Sequence, residues 1–122
     1  MKLHVKLVER KEDQIGGITT LRFSVESPEK GVLSVEVPLG LARRLSEEYE
    51  GEALLTEEKP SPSERDLLMN AVVYQSDENS LRASAYGLLV ILELKDRAED
   101  LANFSRGDEV YFLLRDIVSA SP

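Results

Sequence analysis

The sequence contains no cysteine, no tryptophan and a single histidine, His4, among its 122 residues. The missing cysteine excludes a disulfide framework, a thiolate zinc site and thiol catalysis. With one histidine, a Ser-His triad has only His4 to use. Long apolar runs are also missing. The longest, Leu88–Leu92, is far too short for a bilayer-spanning helix. The opening MKLHVKLVER alternates, so it does not read as a signal peptide, and a cytoplasmic, non-membrane protein is expected. Basic charge is in the minority, with 15 Lys and Arg against 23 Asp and Glu, a net of −8. A chain this acidic repels a phosphate backbone through its overall field.

What is present suits one folded domain spanning 1–122. Apolar residues make up 42% and charged residues 31%. At this length folding removes roughly two-thirds of the extended chain's surface from solvent. Charge is uneven: residues 1–44 carry +2, residues 45–66 carry −6 and residues 67–122 carry −4. The acidic block 45–66 reads either as a solvated face or as a surface for a basic partner.

Most of the chain alternates with the period of a strand. Leu3, Val5 and Leu7 share one face, with His4 and Lys6 on the other, and Val8 reads as a strand end. Thr19, Leu21, Phe23 and Val25 form a second inward row, and Leu33, Val35 and Val37 a third. The turn Ser27–Gly31 between them predicts an antiparallel hairpin. After Pro38 the period changes. Leu41, Leu45 and Tyr49 lie at i, i+4, i+8, predicting a short helix over 39–49 with Gly51 at its exit. Ala53–Thr56 and Leu67–Tyr74 read as further strands, separated by the loop Glu58–Arg65. Leu81–Leu94 is long for one strand, and Gly87 either splits it or bends it. Lys95–Phe104 has room for a helical turn, Ser105–Asp108 is a turn, Val110–Leu114 is the last strand and 118–122 reads as a frayed tail. Seven or eight short strands with at most one short helix predict an all-β fold. A closed barrel and a sandwich both fit, and full or partial closure is the usual way to remove so many exposed edges.

Catalytic chemistry is thin. Glu47, Glu48, Glu50 and Glu52 read as exposed acids rather than a metal site, because no calcium-loop pattern surrounds them. Gly16-Gly17 lacks the rest of a phosphate loop, and Arg106-Gly107-Asp108 reads as a turn. Phe23, Tyr74, Tyr86, Tyr111 and Phe112 fall in predicted strands with few basic neighbours. That favours core packing or a protein interface over base stacking. No catalytic residue, metal site or cofactor is assigned.

The C-terminal half goes further. Ser84-Ala85-Tyr86-Gly87-Leu88-Leu89-Val90-Ile91-Leu92 is followed, after a variable stretch, by Gly107-Asp108-Glu109-Val110-Tyr111-Phe112-Leu113-Leu114-Arg115. Together with Asp66–Tyr74 upstream, these segments resemble the small eighth subunit of archaeal and eukaryotic DNA-directed RNA polymerase. The likeness covers residues 66–117 well and residues 1–57 only in strand order. A single glycine after Tyr86, and the short Pro-Ser-Pro loop where eukaryotic members have an insertion, point to the archaeal type. The resemblance implies a single-domain β-barrel related to the OB-fold. It also implies a non-catalytic peripheral subunit docked on the largest polymerase subunit, without cofactor and without strong nucleic-acid binding of its own. Tyr86, Gly87, Leu88, Leu89, Val90, Val110, Tyr111 and Phe112 are its fold or interface positions. The alternative from another class is a free-standing OB-type barrel that binds single-stranded nucleic acid.

Overall fold

The computed structural model describes residues 1–13 and 16–117, so the expected tail lies outside the described residues. The strands are β1 (Lys2–Glu12), β2 (Ile18–Ser27), β3 (Gly31–Pro38), β4 (Glu50–Thr56), β5 (Leu67–Ser76), β6 (Ser80–Ala85), β7 (Leu88–Leu94) and β8 (Glu109–Leu114). They close into an eight-stranded barrel in the order β1-β2-β3-β7-β6-β5-β8-β4, with β4 returning to β1. Every pairing is antiparallel. Closure gives every strand a partner on both sides over part of its length.

The predicted inward rows form the core. Leu3, Val5, Phe23, Leu33, Val35, Leu81, Val90, Leu92, Val110 and Phe112 are fully buried. Their neighbours in sequence face out; His4 lies 3.7 Å from Glu50 across the β1–β4 pair. Val8 does not end β1. It is the extra residue of a bulge between the Leu7↔Phe23 and Glu9↔Arg22 pairs, which turns it outward while the strand continues to Glu12.

Connecting segments cross both barrel ends. At one end, residues 95–105 contain a 3₁₀ turn, Glu99–Asn103, that buries Ala98, Leu101 and Phe104. At the other, helix α1 (Leu39–Ala42) opens a segment running to Tyr49 that buries Ala42, Leu45 and Tyr49. The helix is much shorter than the predicted 39–49. Beyond Ala42 the backbone tightens into turns, Leu45 N–H to Ala42 C=O (3.2 Å) and Tyr49 N–H to Ser46 C=O (3.1 Å). The Tyr49 carbonyl accepts the Leu7 N–H of β1 at 2.9 Å, a sheet bond that a continuing helix would forfeit. Gly51 is not a helix cap but the second residue of β4, paired with Val5.

Strands β4 and β5 both flank β8 and both run antiparallel to it, so they are parallel to each other. Their connection, residues 57–66, must therefore travel the length of the barrel and cross the outer face of β8. That crossing accounts for Leu113, whose strand parity points it outward yet which is fully buried.

Candidate functional site

Strands β6 and β7 are joined by only two residues, Tyr86 and Gly87, at φ 53° and 93°. Two positive φ angles in a two-residue hairpin are the type I′ turn, whose twist matches that of the strands it joins. Gly87 splits the long apolar run for this reason. A Cβ there would meet nothing within 4 Å, so backbone conformation rather than close approach selects glycine. The correction concerns Tyr86, which is not in a strand. It occupies the turn tip with its side chain 99% exposed, in a conformation that bulky residues rarely adopt.

Beside this turn the wall is incomplete. β5 has ten residues and β6 has six. β5 pairs with β8 from Leu67 onward, but with β6 only from Val72↔Ser84. Backbone direction follows from parity. Val73 donates its N–H to Asp108 (2.9 Å) and accepts from Gly107 (2.7 Å), so odd-numbered residues of this stretch face β8. The N–H and C=O groups of Leu68 and Asn70 therefore face the side where β6 has ended. Across the gap, β3 leaves β7 after Val35↔Val90. The Glu36 carboxylate enters there and accepts the Leu89 N–H at 2.8 Å. The resulting groove of about 250 Å³ is lined mainly by Val37, Leu41, Leu68, Met69, Ala85 and Leu88, with Tyr86 and Asn70 at its margin.

Charges near this end are unequally engaged. Asp66, just before β5, accepts the N–H groups of Ser63 and Asp116, each at 2.9 Å, and lies 3.4 Å from Arg115. Burial pushes its carboxyl up. The Ser63 and Asp116 N–H groups, the Ser63 hydroxyl and the Arg115 guanidinium outweigh that and hold it below the usual carboxylate range. The Tyr49 phenol is pushed far up by burial, then by Asp116, Asp66 and Glu52, so it stays protonated and donates to the Arg115 carbonyl. Its ring meets Phe23 edge-on at 6.1 Å. Three acids of the 45–66 block, Glu47, Glu52 and Asp66, lie beside arginine guanidinium groups. Arg43 and Arg44 are exposed and make no ion pair among the described residues.

Of the residues singled out in the sequence, Val90, Val110 and Phe112 meet inside the barrel. Leu88 packs partly on that core and lines the groove, Leu89 is half-buried with its N–H on Glu36, and Tyr111 faces outward between Asn70 and Thr56. Tyr86 stands apart from the β8 residues, with β6 and β5 between them. Sequence reasoning missed Leu41, Leu68 and Asn70. A signal existed: the turns at 76–79 and 86–87 leave β6 too short to cover β5. Among the described residues, no group of three or more His, Cys, Asp or Glu side chains is placed to hold a metal ion. No helix among them is long and apolar enough to cross a membrane. No protein-family model and no curated protein sequence matches the chain.

Proposed function

We propose that this chain is a non-catalytic, cytoplasmic subunit of an archaeal-type DNA-directed RNA polymerase, held at the periphery of the enzyme on its largest subunit. The observation that carries the reading is Tyr86. A fully exposed aromatic ring at the head of the Tyr-Gly-Leu-Leu-Val segment, in a backbone conformation that costs about 1 kcal/mol, buries almost no surface against the barrel and is suited to a partner. The segments behind the resemblance, 66–74, 84–92 and 107–115, also fall on neighbouring strands, β5, β6, β7 and β8. An acidic barrel facing protein inside a nucleic-acid machine is consistent with the net charge of −8.

Reconstitution tests the reading. The chain is expected to co-purify with the largest polymerase subunit, and failure to do so sinks it. A filter-binding titration with single-stranded RNA at two salt concentrations tests the alternative OB-type binder. Tight, salt-sensitive binding by the isolated chain would support that alternative.

A further inference from the structure

We propose that the groove between β3 and β5 receives an extended segment of the partner, which adds a short strand to the Leu68–Asn70 stretch of β5. This rests on the polymerase reading for the identity of the partner, the largest subunit. Three independent features define the occupant. The first is the backbone. Leu68 and Asn70 turn two N–H and two C=O groups towards the place where β6 has ended, and among the described residues no hydrogen bond to them is formed from that side. An extended chain is the occupant that pairs such an edge in full, because it supplies backbone donors and acceptors at the strand's own spacing. The second is the floor. Leu41, Leu88, Met69 and Val37 make it apolar, so the added strand places an apolar side chain there. The third is charge. Arg44, past the end of α1, donates its N–H to the Leu41 C=O at 3.1 Å, a 3₁₀-type turn in which residues three apart stack on one side, and Arg43 adjoins it. Neither has an acidic partner among the described residues, in a chain with an excess of acids. The occupant is therefore an extended peptide segment with an apolar anchor and an acidic residue beside it, with Tyr86 closing over its flank.

Amide hydrogen exchange on the full chain, free and bound to the largest subunit, reads the proposal directly. In the free chain the Leu68 and Asn70 amides are expected to exchange quickly, and in the complex they are expected to be protected at least tenfold. Protection already present in the free chain, or no gain of protection in the complex, overturns the proposal. Protection by single-stranded RNA instead of the subunit also overturns it. Leu68→Pro removes one gap-facing N–H, and Arg44→Glu reverses an exposed charge. Each is expected to weaken retention on the immobilised subunit at least tenfold. Arg44→Glu keeps the test valid where Leu68→Pro lowers the melting temperature. Wild-type affinity in Arg44→Glu overturns the groove assignment alone, whereas a wild-type chain that is not retained overturns the polymerase reading and with it the occupant.

Discussion

The two barrel ends are closed by segments of similar length and end up differently. At the 3₁₀ end, Leu101 and Phe104 sit over the core, and backbone bonds tie the segment to the surrounding turns. Lys95 N–H reaches Lys30 C=O at 2.8 Å, Ala98 N–H reaches Glu78 C=O at 3.1 Å and the Ser76 hydroxyl reaches Phe104 C=O at 3.1 Å. At the α1 end, Leu45 and Tyr49 seal the β1 side, where Arg10 donates to Ala42 C=O at 3.0 Å. The β5 side stays open, because β6 is too short to complete the wall. An end whose covering segment is tied to the β2–β3 and β5–β6 turns serves stability. An end tied on one side has somewhere to put a partner.

The largest expected effect is at the tied end. Leu101→Ala should cost about 3 kcal/mol of unfolding free energy, whereas Leu41→Ala, at the half-exposed groove, should cost about 1 kcal/mol. Equal losses in denaturant titrations would erase the distinction. Next comes Gly51→Ala. Its Cβ would lie 2.5 Å from the Tyr49 hydroxyl and 2.9 Å from the ring carbon that bears it. Tyr49 must move, and a loss of about 2 kcal/mol is expected. Wild-type stability would mean that the sealed side of the α1 end is as yielding as the open one. The groove side should respond in the opposite direction: Tyr86→Asn suits the positive φ and should raise unfolding free energy by about 1 kcal/mol. A decrease would show that the ring is bound into the fold after all. Thr19, paired with Val37 at the same end, is fully buried, and its hydroxyl has no hydrogen-bond partner among the described residues. Thr19→Val should stabilise by about 1 kcal/mol, seen as a higher melting temperature, and a lower one would reveal a bond to that hydroxyl.

The smallest effect concerns acid. Asp66 has a lowered folded pKa, so its contribution is present above the unfolded value and disappears as pH falls through the folded one. The melting-temperature deficit of Asp66→Asn should be full at neutral pH and shrink below the ordinary carboxylate range. A deficit independent of pH would assign the effect to packing alone.

The wall of the barrel was legible because Leu3, Val5, Leu7 and the rows led by Thr19 and Leu33 each follow a period of two. Such a pattern needs no knowledge of which strand lies beside which. Tyr49 was misread because its spacing from Leu41 and Leu45 suits a helix equally well, and the β1 bond to its carbonyl is a tertiary fact. Tyr86 was misread because Leu81, Ala83 and Ala85 alternate like a strand and run straight into the apolar Leu88–Leu92, and periodicity has no term for a two-residue reversal. The groove depends on the unequal reach of β3 and β5, strands far apart in sequence. Leu113 depends on a chain segment passing over it, which local alternation does not encode.

That passing segment has a practical consequence. The stretch around Ser61–Pro62 is exposed, lies on the far flank of β5 from the groove and stops short of the Ser63 bond to Asp66. Lengthening a connection is cheap, about 0.6 kcal/mol for each doubling of a flexible loop. Added sequence is best carried there: an epitope, a reporter or a cross-linkable site inserted between Ser61 and Pro62 would ride on the side of the barrel and leave both the Leu101 closure and the partner's entrance as they are.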